Sequence, residues 1–348
     1  MQTRYASSEK VPEEASRPTS APANILCGTD FSDASMQAVE VAAMFAKLVK
    51  EPLVLVHAAD EPLPGTLPGD LRDSLALYAR SQYHHERERL RELQIELIEA
   101  FRAGPPDAVL LAEAAASHAR LLVLASGKRS GLSRWLPGGV VERVAEAADS
   151  PTLVVRDAAP LLRWTRGERR LRVLVGADFS APSEAALRWA AWLRQLGPCD
   201  IVVTYLEPSF ISYSVDFYPS LLTDELVLAT RRKEERLFRK RVRELLGRSR
   251  VRVRFEAGWG YSDAHIIELA AQERADLIVV GTHSRSGWQR FGHHSVSRGV
   301  LHYAPRNVAC VPGHALQDPP LYSVIQNKPT NHQVHENRNP HPGRNDPQ

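Results

Sequence analysis

The chain repeats itself, and no other feature narrows its folding options as much. Ile25-Leu26-Cys27-Gly28-Thr29-Asp30-Phe31-Ser32 returns as Val173-Leu174-Val175-Gly176-Ala177-Asp178-Phe179-Ser180, 148 residues on (30 to 178). Arg129-Ser130-Gly131 returns as Arg285-Ser286-Gly287, with Arg134 matched by Arg290 and Val140 by Val296, 156 residues on (129 to 285). Two landmarks in the same order indicate a duplicated domain, and the eight added residues are expected in the second copy after Pro208. A length of 348 residues suffices for two units that each bury a core.

Each copy alternates apolar runs with amphipathic stretches. In the first, NILCGT, PLVLVHAA, IELIEAF, RLLVLAS and PTLVVR read as strands. Between them, Ser32 to Lys50 carries helical spacing, with Ala38, Val41, Ala42, Phe45 and Leu48 on one face. Tyr78 to Leu93 is a charged amphipathic helix, Pro105-Pro106 opens another, and Gly139 to Ala148 is a third. The second copy runs RVLVGAD, DIVVTYL, VRVRFEAG, DLIVVGT and NVACVP, with helices over Ala185–Leu196, Leu222–Leu246, Asp263–Glu273 and Val296–Tyr303. Near-continuous Val/Ile/Leu strands separated by helices predict an α/β fold with a parallel sheet covered on both faces. The copies are expected as separate sheets of the same strand order. PTLVVR and NVACVP would leave bare apolar edges and are expected to meet each other within the chain.

The domain layout follows. Residues 1–22 form a polar, Pro/Ser-rich tail expected to be disordered, 23–157 the first domain, 158–170 a linker, 171–313 the second domain. Residues 314–348 form a second tail, rich in Asn, His and Pro, whose His332, His335 and His341 are expected to be solvated rather than to hold a metal. The N-terminus has no apolar stretch of the signal-peptide kind, and no run approaches the roughly 18 apolar residues of a membrane helix. A soluble, cytoplasmic protein is expected, with no membrane partner. Lys plus Arg exceed Asp plus Glu by 44 to 41, and a formal charge of +3 makes no case for nucleic acid as a partner. Cys27, Cys199 and Cys310 are too few and too scattered for a disulfide framework and read as reduced core residues.

In an open parallel sheet, ligands bind outside the carboxyl ends of the strands, where the strand order reverses. The turn after strand one (Asp30, Asp178) and the loop after strand four (125–140, 281–296) lie there. These residues carry a resemblance. TDFS and ADFS after the first strand, with SGKRSGLSRWLPGGVVERV and GTHSRSGWQRFGHHSVSRGV after the fourth, resemble the universal stress protein family across about 22–157 and 170–313. The resemblance implies two tandem Rossmann-like domains, each a five-stranded parallel sheet of order 3-2-1-4-5 with helices on both faces, pairing through strand five.

Members that bind ATP carry Gly-x-x-Gly, nine residues, then Gly-Ser/Thr. Glycines let backbone N–H groups reach the phosphates, and a hydroxyl at a helix N-terminus completes an anion site. The first copy has Ala125, Lys128, Gly138 and Gly139 at these positions, and Val141 supplies no hydroxyl either. The second has Gly281, Ser284, His294 and Ser295, with the hydroxyls of Thr282 and Ser297 nearby and Val296 between. Lys128 and Arg129, or Arg285 and His294, could supply compensating charge, whereas their bulk could equally close the site. Asp30 and Asp178 match the carboxylate aimed at the adenosine end of ATP, although each also suits a helix cap with Ser32 or Ser180. Ala58 and Leu206 match a position beside the base, and are also ordinary core residues.

Other constellations are weaker. Ser126-Gly127 and Ser130-Gly131 sit in no Gly-x-Ser-x-Gly elbow. His283, His293 and His294 have no Cys or carboxylate at ligand spacing. The basic stretch Arg231 to Arg250 reads as a solvated helix face laced with i, i+4 pairs, the alternative being a surface for an acidic partner or nucleic acid. The resemblance therefore implies a stress-response regulatory or binding protein whose two domains pair within the chain, with ATP the candidate cofactor and no metal beyond its magnesium. The competing class is an ATP-binding switch or weak ATPase. A homo-dimer and an unidentified protein partner stay open.

Overall fold

The computed structural model of the protein describes residues 23–59, 69–126, 139–207, 224–257, 262–282 and 296–314. In chain order the first copy comprises β1 (Asn24–Gly28), α1 (Asp33–Val49), β2 (Leu53–Ala59), α2 (Gly69–Glu92), β3 (Leu97–Ala103), α3 (Pro106–Ala116), β4 (Ala119–Ala125), α4 (Val140–Ala147) and β5 (Thr152–Val155). A helix α5 (Ala158–Thr165) follows. The second copy comprises β6 (Leu171–Gly176), α6 (Ala181–Leu196), β7 (Cys199–Glu207), α7 (Asp224–Leu246), β8 (Val251–Ala257), α8 (Ser262–Gln272), β9 (Leu277–Thr282), α9 (Val296–Tyr303) and β10 (Asn307–Pro312). The expectations for 1–22 and 315–348 concern residues outside those described.

Among the described residues the strands lie in the order β3-β2-β1-β4-β5-β10-β9-β6-β7-β8. The first five positions are the expected 3-2-1-4-5. The second copy reads 5-4-1-2-3 along the same line, the same order met from the other end. Neighbours within each copy run parallel. Both faces are covered, as the near-continuous apolar strands predict. Leu26, Val54, Val56, Leu122 and Leu124 pack with Leu110, Ala114 and Val144 of α3 and α4. The alternate residues Ile25, Cys27, Leu53, Leu55, Leu121 and Val123 are buried too, and successive side chains of a strand point to opposite faces.

Two separate sheets were expected, and here the structure corrects the expectation. β10 pairs β5 antiparallel, with Val308 opposite Val154, Ala309 opposite Leu153 and Cys310 opposite Thr152. The ladders of both copies therefore run on as one sheet of ten strands. The cause is the bare edge that each copy's last strand presents: pairing it satisfies backbone groups that burial would otherwise orphan. Asn307, fully buried, fastens this seam. Its Oδ1 accepts the N–H groups of Arg156 (2.8 Å) and Asp157 (3.0 Å), and its Nδ2 donates to the carbonyls of Asp157 (2.9 Å) and Asp276 (3.0 Å). Two donors and two acceptor sites are thereby all used.

The eight added residues also divide differently from the expectation. Leu53 pairs Leu97 and Ile201 pairs Val251, so the copies are 154 residues apart at β3 and β8. Six residues thus enter between β7 and β8, and two more between β8 and α8.

Residues 158–170, read as a linker, hold α5, a built part of the core. Asp157 caps it by accepting the Ala159 N–H at 3.1 Å. Trp164, 1% exposed, lies 5.7 Å from Phe45 of α1, centroid to centroid, and Phe45 stacks at 6.1 Å on Trp192 of α6. A Cβ on Gly197 would stand 2.7 Å from the indole nitrogen of Trp164, so only glycine fits there. Arg166 reaches Glu40 of α1 (2.9 Å), and Arg169 reaches the buried carboxylate of Asp276 (2.5 Å). The linker is therefore welded to both copies. Trp164→Ala is expected to lower unfolding free energy in urea by about 3–5 kcal/mol, the usual cost of emptying a large aromatic site. Arg163→Ala on the outer side of the same helix should change it by less than about 0.5 kcal/mol.

Candidate functional site

Parallel pairing brings the expected site residues to one edge. Gly176 of β6 pairs Thr204 of β7 and Val280 of β9. Two residues further along each strand stand Asp178, Leu206 and Thr282, on one line across the carboxyl ends. In the first copy Gly28 pairs Val56 and Cys27 pairs Val123, which puts Asp30, Ala58 and Ser126 on the matching line. In each copy this edge is where the chain crosses from one side of the first strand to the other, the position at which open α/β sheets form a crevice.

The turns after β1 and β6 are helix starts as well as site edges. Ser32 and Ser180 cap α1 and α6, their side chains accepting the N–H groups of Ser35 and Ser183. Asp30 Oδ1 accepts the Ser32 N–H at 3.0 Å. Asp178 Oδ1 accepts both the Ser180 N–H (2.7 Å) and the Ser183 hydroxyl (2.6 Å). The capping role is thus filled in both copies. Burial works to raise the Asp30 carboxyl, but hydrogen bonds from Ser32 and Ser35 outweigh it and hold the group below the usual carboxylate value.

The two turns nevertheless differ, in a way the repeat did not lead one to expect. In the first copy the Thr29 hydroxyl accepts the Phe31 N–H at 2.9 Å, and Phe31 takes a left-handed conformation (φ 58°), which bulky residues rarely adopt. Its ring turns inward, 8% exposed, 4.8 Å from His57 and 5.4 Å edge-on from Tyr83. His57 is held in turn: its Nδ1 lies 2.8 Å from the Thr29 carbonyl and must carry the proton, since a carbonyl only accepts. In the second copy Ala177 replaces Thr29 and offers no hydroxyl. Phe179 is absent from the left-handed region and stands 55% exposed, edge-on to Tyr205 and Phe238. The signal was in the sequence as Thr29 against Ala177, within otherwise matched turns.

Gly281, the one glycine of the phosphate pattern kept in the second copy, has a packing duty. A Cβ there would collide with the backbone carbon and oxygen of Pro182, at the start of α6. Its counterpart Ala125 ends β4 half-buried. Gly139 is the N-cap of α4 without a side-chain bond, and Val296 and Ser297 open α9. Lys128, Arg129, Gly138, Ser284, Arg285, His294 and Ser295 lie outside the described residues, as do His283 and His293. Behind the loop the copies diverge again. Arg143 binds Asp107 at 2.6 Å and holds its carboxyl below the usual value. The matching pair is Asp263 and Gly299, where the missing side chain leaves room for the carboxylate against the first turn of α9.

Burial raises Cys27 far above the usual thiol range and pushes Cys199 and Cys310 up to about 12, so all three are packing residues, not nucleophiles. Among the described residues no three His, Cys, Asp or Glu side chains gather to hold a metal, and no helix is long and apolar enough to cross a membrane. The basic stretch on α7 is laced with ion pairs: Arg239 with Glu235, Lys240 with Glu244, and Arg241 with Glu184 and Glu244.

The sequence profile of the universal stress protein family matches residues 23–156 and again 170–312. A search of curated protein sequences gives no match. Among solved structures, a universal stress protein from Archaeoglobus fulgidus DSM 4304 is similar over 82% of this chain and 95% of its own, at 19% identity and a TM-score of 0.59. A protein from Pseudomonas aeruginosa UCBPP-PA14 is similar over 84% and 93%, at 14% identity and a TM-score of 0.54. These likenesses concern the fold. A universal stress protein solved in complex with cAMP matches 39% of this chain and 98% of its own, at 26% identity and a TM-score of 0.33.

Two outcomes test the geometry. A carboxyl whose folded pKa is depressed stabilises the fold above the ordinary carboxylate range near 4, and the contribution fades as pH falls through the folded value. The stability difference between wild type and Asp30→Asn should therefore be largest above about pH 5 and shrink as urea titrations approach about pH 3. Gly281→Ala should lower stability by about 1–3 kcal/mol without any ligand present, as overpacking against Pro182 requires.

Proposed function

The chain belongs to the universal stress protein family, and from that premise we propose that it is a cytoplasmic stress-response binding protein. In this reading the second copy holds a nucleotide and the first acts as its structural partner. The observation that supports it is the difference between the two turns. Phe179 stands half-exposed on the rim beside Asp178, whereas Phe31 lies folded over His57. An open aromatic edge next to a carboxylate suits a planar base and its ribose; a rim packed shut by its own phenylalanine does not.

ATP is the ligand assigned, with the magnesium that accompanies it. Asp178 would accept from the ribose hydroxyls and Leu206 would flank the base. Thr282, Val296 and Ser297 would border the phosphate side, joined by Arg285 and Ser295 from the loop before α9. The start of α9 adds backbone N–H groups that favour an anion. Gly281 is held against Pro182, so its lack of a side chain already has a packing cause.

Native mass spectrometry of the purified protein and calorimetric titration with ATP test this. One nucleotide per chain is expected. Asp178→Ala and Leu206→Trp should each weaken binding at least tenfold, and Asp30→Ala should leave it unchanged. No bound nucleotide and no heat at millimolar ATP would remove the nucleotide from the reading.

A further inference from the structure

The two helices that flank the β5–β10 seam carry acidic side chains on one and basic side chains on the other, in a register that only unlike repeats can satisfy. α4 presents Glu142 and Glu146, and α9 presents Arg298 and His302. His302 Nδ1 lies 2.7 Å from Glu142 Oε1, with both side chains nearly buried (11% and 13% exposed). Arg298 Nε lies 3.3 Å from Glu146 Oε1. The repeat offset of 156 maps Glu142 onto Arg298 and Glu146 onto His302. The two contacts are therefore mates under the approximate two-fold axis that relates the copies across Leu153 and Ala309.

The consequence is direct. If two first repeats met through this face, Glu142 would meet Glu146 twice. If two second repeats met, Arg298 would meet His302 twice. In the first case two carboxylates would face each other, one of each pair nearly buried, and in the second Arg298 would face an imidazole that is a like charge whenever it is protonated, and association disfavours both. The seam adds a second asymmetry. Arg156, at the end of β5, donates to the carbonyls of Leu301, Ala304 and Arg306 at the end of α9. The matching position in the second copy is Pro312, which has no such donor. Asn307, whose amide fastens the seam, is matched in the first copy by Pro151.

We propose that α4 and α9 form a recognition code for unlike repeats. The face around the seam accepts a repeat of the opposite charge and rejects a copy of itself. The chain thus closes on itself, and two chains can share this face only by exchanging whole repeats. This proposal does not rest on any ligand.

The test uses the full chain. Three variants are compared with wild type by urea denaturation and by light scattering: Arg298→Glu with His302→Glu, Glu142→Arg with Glu146→Arg, and all four together. Wild type is expected at the mass of one chain. Each double reversal should lower the folding equilibrium constant at least tenfold, and the fourfold exchange should return it to within about threefold of wild type. Neutral pairs (Glu142→Gln with Glu146→Gln, and Arg298→Gln with His302→Gln) supply the same coupling should a reversal fail to fold. Refolded together, the all-acidic and all-basic chains should form a mixed dimer. Additive losses in the fourfold exchange, or dimers of like chains in the mixture, would overturn the proposal.

Discussion

The pairing of β5 with β10 is the contact on which the rest depends. A parallel sheet of this kind ends in strands whose backbone groups on one side have no partner, and whose side chains are apolar on both faces. All four residues of β5 and all six of β10 are buried. Joined antiparallel, they become the middle of the sheet. The strands left at the outside are β3 and β8, and these carry charge: Glu99 and Arg102 on one, Arg252, Arg254 and Glu256 on the other. The seam puts the most apolar strands inside and leaves at the rim those best protected from edge-to-edge association. Asn307 makes the arrangement specific, because an amide with all its hydrogen bonds met at the seam would be left with unmet ones in any shifted register.

Much of this is legible in the amino-acid sequence alone, and for physical reasons. The duplicated Asp-Phe-Ser turn, the continuous Val/Ile/Leu runs and the helical spacing of Ala38, Val41, Ala42 and Phe45 are short-range signals, and they place strands, helices and the carboxyl edge. What is not legible there depends on long-range packing. Trp164 announces an apolar residue in a linker but not that Phe45 and Trp192, far away in sequence, would close around it. The single sheet is hidden for the same reason: the sequence displays two bare edges, not the geometry of their meeting. At the site, Asp30 and Asp178 come to the expected line, yet the inward turn of Phe31 depends on one hydroxyl of Thr29 whose reach only the folded turn reveals.

The two copies keep one backbone plan while dividing its labour. Thr29 against Ala177 separates a closed turn from an open one. Arg143 against Gly299 separates a neutralised carboxylate at Asp107 from Asp263 lying on the first turn of α9. Pro151 against Asn307, and Arg156 against Pro312, divide the seam into one side that reaches across and one that receives. None of these exchanges disturbs a core strand. Once duplication has joined the copies in one chain, each position on the two-fold need satisfy only its own side, so a symmetric contact is free to become a complementary one.

The glycines show how packing and ligand demands can be told apart. Gly28 leaves no room for a Cβ beside Leu110 and Leu124, and Gly176 leaves none beside Ile266. These matched positions keep glycine in both copies because a helix crosses close over the strand end. Gly281 belongs with them: the backbone of Pro182 occupies the space a side chain would need, so this glycine would be retained whether or not a phosphate ever approached. Its presence therefore says nothing about ATP. Elsewhere in the phosphate pattern the first copy keeps Gly138 and Gly139 but has Lys128, and the second has Ser284 and His294. A glycine cradle for phosphate needs more than Gly281, and at Lys128, Ser284 and His294 the sequence supplies side chains in place of bare backbone.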